Sequence, residues 1–533
     1  IACAWDRRPM RVIIRGLVDI AFSLHVVHTG LSYILIFRLT YYLLFCLLFR
    51  VYFPPIYPTI VCMNQSILSK LQSDYRGDED FRMRNITCGE GKFVVVNLDT
   101  MTDHVKVSQF VLQPLVYASG AQTVADIATY LVAADGIVEC LTYDAALNSF
   151  VNGYTLVLDS SDGCIAVDTR TQSGRSITEP PTSMVMRGPR EGFVEDVKVN
   201  VTLLRKRLKT PHFKTIQLSV GKYTSTAVVV CYIDGVADKK VVGNVIQRLQ
   251  EINIDGVLDS SYLAKYLDVE HTVLFRRVGM TEKPDVAVGK MLEGRIAVIS
   301  DGSPMVLTVP YLFVEDLQSP GDYYENAAMT SLNRVLRFVS VLVSVLLPAL
   351  YVCMQMYNYQ IIPLKFLLTI LNATEAIPFS PFAEMMLVIV IFDILREANL
   401  RMPSAVGISL SLVGAIVLGD AAVKAGLIGA PAVMIGALSG IGLFTMPDNT
   451  LVLSLLRILF TVAGGIGGIF GIMLVQLAIM VYLCALQRDH TPFLAPYAPE
   501  IPSDRQDSVG QKPVPQQKKR PRSIPNVNRT RRG

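Results

Sequence analysis

The run FVSVLVSVLLPALYVCMQMYN, from Phe338 to Asn358, carries no charged side chain from end to end. A helix needs about 20 apolar residues to cross the hydrocarbon of a bilayer, and this run supplies them. Uncharged apolar runs recur at 402–419, 425–447 and 458–487. The stretch 334–490 therefore reads as a polytopic α-helical membrane domain. Upstream, 63–333 is rich in charge, Asp-Gly turns and short Val/Ile runs, so the predicted fold class is a mixed α/β cytoplasmic domain followed by that membrane domain.

The average composition hides this division. The chain has 533 residues, 51% of them hydrophobic, with a mean hydropathy of +0.41 and a formal charge of +4. Length alone allows two or three units. So small a net charge argues against nucleic acid as a partner. The nine cysteines show no C-x-x-C spacing and no histidines at zinc spacing, which reads as free thiols, with neither metal nor cofactor implied. The N-terminus starts at Ile1, and 1–62 holds a ragged apolar stretch broken by Arg38. Its length and hydrophobicity suit a signal anchor, but the preferred reading is upstream or mis-called sequence, with the native chain starting at Met63 before the polar Asn64-Gln65-Ser66.

The soluble part divides into two α/β subdomains, 63–180 and 181–333. In the first, 93–98 and 154–158 read as strands and 124–134 as a helix. In the second, 183–192 reads as a strand ending in a tight turn. In the helix that follows, 193–209, Val197, Val201, Leu204 and Leu208 share one face, acids stand at its start and Arg205, Lys206, Arg207 and Lys209 at its end, as the helix dipole favours. That basic end reads as solvated. A buried strand at 226–233, an amphipathic helix at 240–249 and a strand at 294–300 complete the pattern.

Several motifs in this order resemble one family. They are Arg187-Gly188-Pro189-Arg190-Glu191-Gly192, Leu292-Glu293-Gly294-Arg295-Ile296 through Asp301-Gly302-Ser303-Pro304, and Ser319-Pro320-Gly321-Asp322-Tyr323-Tyr324. Ala376-Ile377-Pro378-Phe379-Ser380-Pro381-Phe382, Leu395-Arg396-Glu397-Ala398 and Pro496-Tyr497-Ala498-Pro499 extend the set. Together they resemble the A subunit of the GerA spore-germination receptor family, and fit equally a nutrient germinant receptor A subunit or stage V sporulation protein AF. The resemblance implies a protein of the inner spore membrane that assembles as a homo-oligomeric ion channel and releases monovalent cations to start germination. It also implies partners, a membrane-embedded B-type subunit and a lipoprotein C-type subunit.

Within the membrane domain, Arg334 and Arg337 flank the first run, and the tail from 512 to 532 holds eight basic residues and no acid. The positive-inside rule puts both ends in the cytoplasm. About four full spans are counted, near 338–358, 402–420, 425–446 and 455–486, with six crossings as the alternative. A broken re-entrant pair at 361–395 is interrupted by Pro363, Pro378 and Pro381. Inside that pair, Glu375, Glu384 and Asp393 are the candidate functional acids, since ionisable groups in a membrane are costly and face a bundle interior or a water path. Asp393 has a second reading, as a partner of Arg396 at an interfacial helix end. Ser404, Gly407, Ser411, Gly414 and Leu418 fall on one helical stripe, which either lines a pore closed by Leu418 or packs closely against another helix. The tail 491–533 reads as a disordered basic cytoplasmic segment attracted to anionic lipid, worth about 1 kcal/mol per basic residue.

Enzyme chemistry finds no footing. The chain has no P-loop, no H-E-x-x-H and no G-x-S-x-G. A channel or receptor subunit, a secondary transporter with broken helices and a non-conducting scaffold remain as readings of the residues.

Overall fold

The structure is a computed structural model that describes residues 67–531 except 89–90, 118–122, 131–133, 135, 161–162, 172–186, 269–273, 376, 402–413, 415 and 490. The chain separates into 1–66 and a compact unit, Ile67–Gly533; only the latter is described.

Its first part is a duplication. The first repeat runs α1 (Ile67–Asp74), β1 (Phe81–Cys88), β2 (Gly91–Leu98), a helical stretch over 104–117, α2 (Val124–Tyr130), β3 (Ile137–Glu139), α3 (Tyr143–Val151), β4 (Thr155–Asp159) and β5 (Cys164–Val167). The second runs α4 (Val197–Arg207), β6 (Phe213–Val220), β7 (Thr226–Ile233), α5 (Lys239–Gln250), α6 (Ser260–Leu267), β8 (Gly279–Thr281), α7 (Pro284–Leu292), β9 (Ile296–Ser300) and β10 (Val306–Val309). Strand orders are β1-β2-β4-β5-β3 and β6-β7-β9-β10-β8, the same path twice, with every neighbour antiparallel. Each sheet buries both faces. In the second repeat α4 and α7 cover one face through Val201, Leu204 and Met291, and α5 and α6 cover the other through Val245, Leu249 and Leu263. Two covered faces explain why β7 reads as the continuous apolar run TAVVVCYI rather than an alternating one.

Helix α4 forms where its pattern predicts, with one refinement at each end. Asp196 stands just before it, and its carboxylate accepts from the amides of Lys198 (2.7 Å) and Val199 (3.3 Å), a side-chain N-cap. At the other end Arg205 departs from the solvated reading. It is 3% exposed and reaches into the first repeat, where it pairs with Asp78 (2.7 Å) and Asp80 (2.7 Å). Burial pushes the Asp80 carboxyl up despite Arg205 and the Thr100 hydroxyl. The strand predicted at 183–186 lies outside the described residues.

The C-terminal part is helical: α8 (Ala327–Met356), α9 (Leu364–Thr374), α10 (Pro381–Arg401), α11 (Ala430–Leu443) and α12 (Thr450–Ala485). Two segments are long and apolar enough to cross a membrane by length and composition, Ala327–Met356 and Pro447–Ala485. These correspond to the first and fourth runs of the sequence reading. The second run lies mostly outside the described residues. The third forms α11, whose 14 residues rise about 21 Å at ~1.5 Å each, short of the ~30 Å hydrocarbon. The break predicted near Pro378 separates α9 from α10. Helix α12 is two helices joined at Gly468 (φ 57°, ψ −141°), where the chain turns back so that a Cβ on Gly471 would meet the Ala463 carbonyl and one on Gly464 would lie 3.3 Å from Ile472; the Tyr357 hydroxyl donates to the carbonyls of Gly465 (2.8 Å) and Ile466 (3.0 Å) at this turn.

The tail differs from the disordered segment read from its composition. It lies against the second repeat: Val527 N–H donates to Val236 O (3.0 Å), Arg520 Nε to Leu292 O (2.6 Å), and Ile524 is 1% exposed. Composition measures what a segment can bury alone, whereas this tail uses the α/β surface to satisfy its backbone.

Candidate functional site

The sequence motifs converge on the junction between the α/β repeats and the helices. The chain leaves β10 through Ser319–Tyr324, and Asp322 in this loop accepts from Ser319 N–H (3.1 Å), Arg334 Nε (3.0 Å), Arg337 Nη1 (2.8 Å) and Arg337 Nη2 (2.8 Å). Burial raises the Asp322 carboxyl, but Arg337, the Ser319 amide and Arg334 outweigh it and hold it below its ordinary value. Arg334 is fully buried on the first turns of α8 and spans to the tail, donating to Asp507 Oδ1 (2.8 Å) and Ser508 O (2.6 Å). The Tyr323 hydroxyl donates to the other oxygen of Asp507 (3.0 Å). Thus the two arginines read as flanking charges are ion-paired, and loop, helix and tail meet on one guanidinium.

Two further motifs, at 187–192 and 292–296, brace this node. Gly188 adopts φ +116°, and a Cβ there would stand 2.6 Å from the Tyr324 ring, so the Arg-Gly-Pro turn packs against the same loop. The adjacent Pro189 carbonyl accepts from the buried Lys283 ammonium (2.8 Å). Arg295 pairs with Glu293 and with Glu315 (2.8 Å), Lys290 also reaches Glu315 (2.8 Å), and Arg531 of the tail closes on Glu293 (2.5 Å). Burial alone would raise Glu315; Arg295 and Lys290 bring it below its ordinary value.

A second bridge reaches α12. Arg276 pairs with Asp448 (2.5 Å), in the turn that starts this helix, and approaches Asp316 (3.8 Å), which accepts from the Tyr311 hydroxyl (2.5 Å). Burial lifts the Asp316 carboxyl to about 6, against the lowering effects of Tyr311 and Arg276. Because α12 turns back at Gly468, its C-terminal end reaches the same segment: the Tyr482 hydroxyl accepts from Leu274 N–H (2.9 Å), and Arg488 donates to Arg277 O (3.2 Å).

Inside the helical block the predicted acids fare differently. Glu375 is exposed where α9 ends. Glu384, in the first turn of α10, is 1% exposed, and its Oε1 accepts from Gly429 N–H (2.6 Å) at the start of α11. A carboxylate at a helix N-terminus meets unpaired amides and the positive end of the dipole. Asp393 does pair with Arg396 (3.3 Å), as one reading had it. It also binds Arg457 of α12 (2.8 Å) and accepts from the Ser454 hydroxyl (2.6 Å). Arg457 is 1% exposed and reaches Ser439 (3.3 Å), whose hydroxyl donates to Ser344 O (2.6 Å). A polar seam therefore joins α8, α10, α11 and α12. Sequence reading missed Arg457, one residue outside an uncharged run. Of the predicted stripe, Ser404, Gly407 and Ser411 lie outside the described residues. The backbones of Gly414 and Leu418 are described, and a Cβ on Gly414 would lie 3.2 Å from Leu395.

A duplicated α/β domain, clamped through buried arginines to a block of apolar helices, defines a two-part protein. The chain belongs to the family described as Bacillus/Clostridium GerA spore germination protein, whose model matches residues 36–523, and it is of the A-subunit type of spore germination receptor. The match begins inside the segment read as upstream sequence, so 36–62 falls within the family's range. The chain is 32% identical over 475 residues to spore germination protein KA of Bacillus subtilis, covering 87% of each chain. It is 40% identical over 327 residues to the uncharacterized membrane protein YfkQ of the same organism, 61% of this chain and 64% of that one. The crystal structure of the N-terminal domain of the A subunit of the Bacillus megaterium spore germinant receptor GerK3 aligns with 46% of this chain and 94% of that one, at 25% identity and a TM-score of 0.36.

Proposed function

We propose that this chain is a polytopic subunit of the inner spore membrane, with the α/β repeats and tail on the cytoplasmic side. In this reading it forms a homo-oligomeric channel that releases monovalent cations, working with B-type and C-type germination subunits. The observation that carries the reading is Glu384. It is a carboxylate buried among apolar helices at a chain break, held by a backbone amide, with no cation paired to it among the described residues. Such a group is costly in a membrane unless a water path or passing ion uses it. Exposed Ile466, Phe470, Leu474 and Leu477 along α12 supply an apolar surface for lipid or for further copies. Exposed Lys512, Lys518 and Lys519 leave the tail able to meet anionic headgroups.

Cation flux from proteoliposomes, at matched protein level, tests this. Glu384→Gln keeps an oxygen for the Gly429 amide and should lower cation flux. Leu418→Ser should raise resting leak by wetting a constriction, and Ser411→Leu should lower it. Flux unchanged in all three removes these residues from the path. A scaffold would show no flux in any chain, and a transporter would show saturable, substrate-dependent exchange instead of passive leak.

A further inference from the structure

The sheet of the first repeat brings two cysteines together. Its edge strand β3 pairs antiparallel with β5 through Ile137↔Val167, Val138↔Ala166 and Glu139↔Ile165. One step further, the same register sets Cys140 opposite Cys164, and the Cys140 N–H donates to Cys164 O (2.8 Å). Both side chains enter one core, beside Phe150, Leu156 and Leu158. The two thiols hydrogen-bond each other, and the Ser149 hydroxyl of α3 lies 3.9 Å from the Cys140 sulfur. Residues directly opposite in an antiparallel pair have Cα atoms about 4.5–5.5 Å apart, inside the range of about 4.4–6.8 Å that a disulfide spans. A bond between these sulfurs therefore needs no rearrangement of the sheet.

The pair is also unequal. The hydrogen bonds from Cys164 and Ser149 outweigh burial and bring the Cys140 thiol down to about 7, whereas its bond to Cys140, with burial, holds the Cys164 thiol up. The thiolate is the nucleophilic form, which makes Cys140 the attacking sulfur and Cys164 the resolving one. Both are buried, but Leu141, next to Cys140, is 89% exposed, and β3 is an edge strand of three residues, so a small local opening admits a small reagent. We infer that Cys140 and Cys164 form a two-cysteine redox site, which a small hydroperoxide converts from dithiol to a disulfide that pins β3 to β5. The Cys140 thiolate attacks one peroxide oxygen, the O–O bond breaks, and a sulfenic acid forms as hydroxide leaves and takes up a proton. The Cys164 sulfur then attacks the Cys140 sulfur, the S–O bond breaks, and the second oxygen leaves as water with the Cys164 proton. In sum, two thiols and hydrogen peroxide give one disulfide and two waters; the sulfurs lose two electrons and the peroxide gains them.

The full-length chain in detergent tests this, treated with hydrogen peroxide at a dose that fully oxidises N-acetylcysteine in a parallel sample, then unfolded, alkylated and digested with trypsin. Both cysteines fall in one tryptic peptide, 107–170, which holds no other cysteine. That peptide should lose two hydrogens and refuse both alkyl groups, and dithiothreitol should restore it. Cys231, buried in the second repeat, should stay alkylatable. Cys164→Ser should abolish the two-hydrogen loss and carry Cys140 on to sulfinic acid, and Cys140→Ser should leave Cys164 a thiol. Amide exchange at 137–139 should slow in the oxidised parent chain. Two alkylatable thiols in the parent peptide after treatment, a bond from either cysteine to a different peptide, or unchanged exchange at 137–139 overturns the proposal, whether or not the single variants fold.

Discussion

Replacing Arg334 by Met should open the junction while leaving the length and volume of the side chain similar. Arg334 is fully buried and serves Asp322, Asp507 and the Ser508 carbonyl. Removing one partner of a buried ion pair costs about 3–5 kcal/mol, because a charge is left without compensation. Asp322 retains both bonds from Arg337 and one from the Ser319 amide. The loss therefore falls mainly on Asp507, whose carboxylate keeps the Tyr323 hydroxyl, and the lower end of the range, about 3 kcal/mol, is expected. Arg337→Met is the control. Its side chain is 22% exposed and Asp322 keeps Arg334, so about 1 kcal/mol is expected. Hydrogen exchange in the full-length protein reads the difference at the Gln511 amide, which donates to the Ser331 hydroxyl on α8 (2.9 Å). About 3 kcal/mol corresponds to roughly a hundredfold faster exchange there. Equal acceleration in the two variants would refute the idea that loop, helix and tail are joined through Arg334.

Gly188→Val should lower protein abundance without changing ion preference, since the new side chain meets the Tyr324 ring at a φ of +116° and strain of about 1–3 kcal/mol adds to the clash; immunoblotting beside flux measurement checks both halves. Asp316, with its carboxyl lifted by burial from 3.8 to about 6, stabilises the fold below pH 4, and that contribution is lost as pH rises to 6, by at most about 3 kcal/mol. Asp316→Asn should flatten melting temperature against pH across this window, and an unchanged profile would contradict the assignment. Glu384→Ala should destabilise the helical block by about 1–3 kcal/mol by orphaning the Gly429 amide, whereas Glu384→Gln should melt like the parent chain in detergent.

Local pattern revealed the elements but not their partners. Strand β7 is legible because burial on both faces leaves an unbroken apolar run, and α5 because Val241, Val242, Val245 and Leu249 share a face. The repetition of strand order was not legible, since it resides in hydrogen bonds between distant strands and not in residue identities. Arg205 looked like a solvated helix end because its partner Asp78 lies 127 residues away. Arg457 looked like the edge of an apolar run, and its partner Asp393 is 64 residues earlier. The tail misled for a related reason. Its prolines and lysines cannot build a core alone, and nothing local reveals that Val236, Leu292 and Glu293 await it. By contrast Glu384 was legible as one acid among apolar residues, although its backbone partner was not.

Planar-bilayer recording of the purified chain, alone and together with the proposed B-type and C-type subunits, tests the central claim most directly. Unitary, cation-selective current steps are predicted, with a smaller conductance for Glu384→Gln at equal protein incorporation. Silence under both conditions, or steps whose conductance and selectivity ignore Glu384, would contradict the proposed conducting role of the helical block.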